Sequence, residues 1–168
     1  MATVTFHGDA IQTSGTLPNV GTKAPDFKLT STDLKSKSLS DYSGSKIVLN
    51  IFPSIDTGVC AQSVRQFNKE AAELENTKVL CISKDLPFAL NRFCGAEGLK
   101  NVISLSDFKD GHFGKAYGVN FTNGPLEALL SRSVVVLDEN GTVKYTEQVQ
   151  ETADEPNYKA AIESLKNI

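Results

Sequence analysis

The chain has 168 residues, 40% of them apolar and 22% charged, with a formal net charge of -3. A chain of this length buries roughly two thirds of its unfolded surface around an ordinary core, so it needs neither disulfide staples nor metals to fold. The composition excludes wholesale disorder, the slight acidic excess argues against binding nucleic acid by neutralising phosphates, and no run approaches the roughly 18 apolar residues of a membrane-spanning helix. Residues 1–9 offer neither a basic stretch nor an apolar one, so no secretory leader is expected and the expected location is cytoplasmic.

Val4-Thr5-Phe6-His7 and Ala10-Ile11-Gln12-Thr13 alternate in polarity around Gly8-Asp9, which predicts an N-terminal β-hairpin turning at those two residues. A short strand is expected at Phe27 to Thr30, then a polar connection with a helical turn at Leu39 to Tyr42. Lys46 to Phe52 is an aliphatic, β-branched run that reads as a central strand covered on both faces and stopped by Pro53. Next comes a helix whose apolar stripe passes through Cys60, Val64, Phe67, Ala71 and Leu74. A second buried strand, Lys78 to Ser83, completes a βαβ unit with parallel strands.

A helix from about Leu86 to Phe93 or beyond precedes Gly95 and Gly98. A strand at Asn101 to Leu105 and a helix near Gly111 to Tyr117 follow. Ser133 to Leu137 and Thr142 to Thr146 flank Asn140-Gly141, a strong hairpin signal, and Asn157 to Leu165 closes the chain as an amphipathic helix. No repeat or linker is visible, so residues 1–168 are expected to form one domain. A βαβ unit followed by a ββα unit around a mixed sheet is the thioredoxin-like α/β fold, here with an added N-terminal hairpin.

The three cysteines, Cys60, Cys81 and Cys94, are spaced by 21 and 13 residues, with no C-x-x-C pair and no nearby histidine, so neither a metal site nor a dithiol redox motif is expected. Cys60 falls in the first turn of its helix, where unpaired backbone N–H groups and the helix dipole favour an anion. The competing reading is that Cys60 only heads the apolar stripe. Thr57 offers a hydroxyl toward the sulfur or serves as the helix cap, and Pro53 either shields the thiolate or merely ends the strand. Cys81, within an apolar strand, reads as inert core. Cys94 stands open between a buried thiol and a redox partner of Cys60, with two neighbouring glycines giving its backbone the freedom to move.

Only three of the seventeen basic residues are arginine, and Arg132 sits beside an apolar strand, a poor place for a solvated charge. Its fixed fork of donors suits pairing with a thiolate. Arg65 lies about 140° around the helix from Cys60 and is not expected to reach that sulfur. Cys60 and Arg65 form C-x4-R, one residue short of a tyrosine-phosphatase loop, and a cysteine protease would need a histidine base that His7 and His112 do not offer.

Pro53-Ser54-Ile55-Asp56-Thr57-Gly58-Val59-Cys60 fits P-x-x-x-[ST]-x-x-C and resembles the signature of peroxiredoxins. With Asp85-Leu86-Pro87-Phe88-Ala89 and Arg92-Phe93-Cys94-Gly95-Ala96-Glu97-Gly98, the similarity points to the bacterial thiol peroxidase branch, atypical two-cysteine peroxiredoxins, over essentially the whole chain. The resemblance implies that Cys60 attacks the peroxide, that Cys94 resolves it by a disulfide within the same subunit, and that Thr57 and Arg132 complete the site, with Pro53 heading the signature as its loop wall. It further implies recycling by thioredoxin, a homodimer, and no metal, flavin or haem. Phe88 and Phe93 are expected to wall the entrance and favour organic hydroperoxides over hydrogen peroxide. If Cys94 is helical when reduced, its turn is expected to unwind on oxidation. A peroxide sensor that relays oxidation to a partner protein is the alternative use of the same thiols.

Overall fold

A computed structural model describes residues 1–168, with nine strands and four helices in chain order: β1 Thr3–Phe6, β2 Asp9–Gln12, β3 Lys28–Ser31, β4 Ser36–Ser38, β5 Lys46–Ile51, α1 Gly58–Ala71, β6 Thr77–Ser83, α2 Pro87–Glu97, β7 Ile103–Ser106, α3 His112–Ala116, β8 Ser133–Leu137, β9 Val143–Gln148 and α4 Tyr158–Lys166. A 3₁₀ turn spans Leu39–Tyr42. Seven strands form one sheet in the order β4-β3-β7-β6-β5-β8-β9, with β5, β6 and β7 mutually parallel and their outer neighbours antiparallel. This is the thioredoxin-like arrangement, carrying a separate β1–β2 ribbon.

β5 occupies the middle because both its faces are apolar. Ile47, Leu49 and Ile51 join Phe27, Leu80, Phe113 and Tyr117 on one side, where α3 packs. Val48 and Phe52 join Cys60, Val64 and Phe67 of α1, Leu90 of α2, and Ala161 and Leu165 of α4 on the other. Each fully buried Val, Leu, Ile or Phe contributes about 1.5–3 kcal/mol, so the two layers hold the C-terminal ends of β5 and β6 rigidly beneath the α1 N-terminus. No helix is long and apolar enough to cross a membrane.

Three local expectations shift. The first hairpin pairs Phe6 with Asp9, so its turn is His7-Gly8 rather than Gly8-Asp9. Both turn residues have positive φ, 52° and 87°, as a two-residue turn of the hand that matches strand twist requires. β4, wholly polar, carries no apolar signal and pairs at the sheet edge with β3. α2 runs through Cys94 and Gly95 to Glu97, where Gly98 at φ 66° closes it by returning its N–H to the carbonyls of Cys94 and Gly95.

Candidate active site

β5 ends at Ile51, and the Phe52 N–H still reaches the Ile82 carbonyl at 3.1 Å before Pro53 breaks the ladder. Thr57 is the N-cap of α1 and Cys60 is the third residue of the helix, so the sulfur stands at its positive end. The Thr57 hydroxyl donates to the Ser54 carbonyl at 3.0 Å rather than to the sulfur. A three-residue spacing alone does not decide between those acceptors, and here the loop carbonyl accepts the hydrogen bond. Asp85, just beyond β6, pins the loop from beneath: its carboxylate accepts from Ser54 Oγ at 2.8 Å, the Ile55 N–H at 2.7 Å and Ser83 Oγ at 2.6 Å.

Cys60 is fully buried, and Arg132 is 3% exposed. One guanidinium nitrogen, Nη2, lies 3.3 Å from Cys60 Sγ, while Nε donates to the Thr152 carbonyl at 2.9 Å. No carboxylate pairs with this guanidinium. A desolvated cation left alone is costly, and the groups this guanidinium faces are the Cys60 sulfur and the Thr152 carbonyl. Arg132 Nη1 and Thr152 Oγ1 are buried without a partner. Both residues line a cavity of about 330 Å³ with Pro53, Thr57, Phe6 and Leu126. Cys60 lies behind this lining, and Arg132 bridges sulfur and cavity.

Cys94 is elsewhere. Its sulfur is 3.4 Å from Ser104 Oγ on β7, and it faces a second cavity of about 420 Å³ beside Asn91, Leu99 and Lys100. All three thiols are free. Two exposed ion pairs tie α2 to the Cys60 side: Arg65 holds Glu97 through two bonds of 2.9 Å, and Arg92 Nη2 reaches Asp56 at 3.1 Å. Arg65 thus turns away from Cys60, as its helical phase predicts. Burial pushes the Cys81 thiol up to about 12, with the Asn50 side-chain amide 3.8 Å away acting against it.

Phe88 is 67% exposed on α2, and Phe93 packs into the α1 layer under the Arg65 guanidinium, 5.5 Å from its ring centre. Neither lines the Arg132 cavity, whose apolar surface comes instead from Phe6, Val59 and Leu126. Sequence reading missed these residues, together with His7, Thr152, Glu151 and Asp85. The one available signal was Ser83-x-Asp85, polar residues at the C-terminal end of a buried parallel strand, where α/β folds place their sites.

Comparison with known proteins is concordant along the chain. A profile of the redoxin family matches residues 19–162. A thiol peroxidase of Corynebacterium glutamicum is 55% identical over 165 residues, covering 98% of this chain and 99% of its own. One of Mycobacterium bovis is 53% identical over the same coverage. The crystal structure of a peroxiredoxin-like protein from Aquifex aeolicus superposes with a TM-score of 0.93 at 34% identity, over 99% of this chain and 97% of that one. The fold, the strand-to-helix placement of Cys60 and near full-length identity agree, and the chain belongs to the redoxin family, in the thiol peroxidase branch of the peroxiredoxins.

Proposed function

We propose that Cys60 is the peroxidatic thiolate and Cys94 its resolving partner within one subunit, residues 1–168 acting as a single domain. The observation that carries this reading is the buried Arg132 guanidinium 3.3 Å from Cys60 Sγ, with a second donor nitrogen unpartnered beside the cavity. The Cys60 thiolate attacks the terminal peroxide oxygen; the O–O bond breaks, the leaving oxygen takes a proton and departs as alcohol or water, and the sulfur becomes a sulfenic acid. Arg132 holds the thiolate and offers N–H groups to the developing oxygen charge, Pro53 stiffens the loop wall, and Thr57, bonded to the Ser54 carbonyl, ties that loop to the start of α1 at the cavity edge.

The Cys94 thiol then displaces hydroxide from the sulfenic sulfur, which leaves as water and forms the disulfide. α2 must open for this, and the turn closed by Gly98 is the part that unwinds. A dithiol returns both sulfurs to thiols by exchange. Thioredoxin as that dithiol, a homodimeric working unit and a cytoplasmic location follow from the family resemblance. The apolar cavity wall of Phe6, Val59 and Leu126 supports a preference for organic hydroperoxides, the role that sequence reading gave to Phe88 and Phe93.

Peptide mass mapping after one equivalent of peroxide tests the scheme. The expected product is a Cys60–Cys94 crosslink with Cys81 free and unreactive toward iodoacetamide at pH 8. A Cys81 crosslink, or a sulfenic acid that persists beside a free Cys94, overturns it. Steady consumption of a nicotinamide donor through thioredoxin reductase and thioredoxin distinguishes an enzyme from a peroxide sensor, which stops after one turnover.

A further inference from the structure

Glu151 is the most heavily bonded carboxylate near the Cys60 centre, yet it touches neither the sulfur nor the guanidinium. Oε1 accepts from the N–H groups of His7 at 3.1 Å and Ala153 at 3.0 Å. Oε2 accepts from the Gly8 N–H at 3.1 Å and the Thr5 hydroxyl at 2.8 Å. A carboxylate offers about four acceptor positions, and this one uses all of them. The main chain runs the same way: the Thr5 N–H donates to the Gln150 carbonyl and the Thr152 N–H to the Thr5 carbonyl, both at 2.7 Å. The bonded segment carries the Thr152 carbonyl that accepts from Arg132 Nε.

We propose that Glu151 is a positioning residue for peroxide reduction: it clamps the His7-Gly8 turn against residues 151–153 and so fixes the carbonyl that aims Arg132 at Cys60. The same clamp seats Phe6 and His7 in the cavity lining. The hydrogen bonds, led by that from Ala153, hold the carboxyl down to about 2, so the clamp is charged throughout the working pH range. The inference rests on the assignment of Cys60 as the attacking sulfur.

The test uses Glu151→Gln, which keeps the shape but turns an NH₂ group toward donors that need an acceptor. Two rates are read in the reduced protein: single-turnover oxidation by hydrogen peroxide, too small to use the apolar wall, and alkylation of Cys60 by iodoacetamide at pH 7. Both are expected to fall, oxidation by about tenfold, since misplacing a catalytic group by about 1 Å costs up to about 100-fold. Glu151→Ala is expected to fall further; should it fail to fold, the Gln variant decides. Wild-type values of both rates in Glu151→Gln overturn the proposal, even if its Tm drops. Cys60→Ser separates the two failures. If that variant still consumes peroxide, the Cys60 assignment is wrong; if it is silent while Glu151→Gln is unaffected, only the role of Glu151 is.

Discussion

The role proposed for Arg132 rests on what is missing around it. Removed from water and facing no carboxylate, its guanidinium has the Cys60 sulfur and the Thr152 carbonyl as recorded partners. Replacing it with Gln removes the charge and the fork of donors together. Single-turnover oxidation of Cys60 by hydrogen peroxide is expected to slow by about 100-fold, the cost of deleting one donor at a developing oxyanion. Alkylation at pH 7 is expected to slow with it, because the sulfur loses the guanidinium 3.3 Å away. Measured rates within about twofold of wild type would remove Arg132 from the site. Position alone made this arginine legible, since lysine fills the ordinary surface sites while Arg132 adjoins an apolar strand. Cys60 was singled out by its place after β5, and the structure sets it at the α1 N-terminus beside Arg132. Thr152 and Glu151 were not legible, because each matters through partners brought close only by the fold.

Elements announced themselves in proportion to their apolar content. β5, β6, β8 and α1 carry continuous runs or a clear stripe and lie where periodicity puts them. The Ser36–Ser38 strand has nothing to bury and is held by its pairing with β3, a tertiary cause that no local pattern encodes. The loop between β5 and α1 is likewise fixed from outside, by Asp85. Asp85→Ala should strip Ser54 and the Ile55 N–H of their acceptor, at a cost of about 1–3 kcal/mol for polar groups left unsatisfied. The expected result is a lower Tm together with slower Cys60 oxidation, measured by calorimetry and stopped-flow. A lower Tm with an unchanged oxidation rate would show that the loop keeps its geometry without this anchor.

Across the whole molecule, the N-terminal hairpin and residues 151–153 meet beside the Arg132 cavity. Thr5, His7 and Gly8 bond to Glu151 across more than 140 residues, so the cavity wall is completed only when the long-range contacts form. This couples the hairpin to acidity. The folded Glu151 carboxyl lies at about 2, below its ordinary value of 4.5, so its contribution to stability is fully present above about pH 4.5 and drains away as pH falls toward 2. Thermal unfolding of Glu151→Gln should therefore approach the wild-type Tm as pH drops through that window, with the gap widest near neutrality. A gap that does not change with pH would mean the carboxylate charge is not what holds the hairpin.

Arg65–Glu97 and Arg92–Asp56 span the seam between the Cys60 side and α2, and both face water. Contacts of this kind add little to stability and fade as dissolved ions crowd around them. If the two sulfurs meet as proposed, the boundary that parts is latched by bonds that dissolved ions loosen, which gives the ionic strength of the medium a direct hold on how readily it opens.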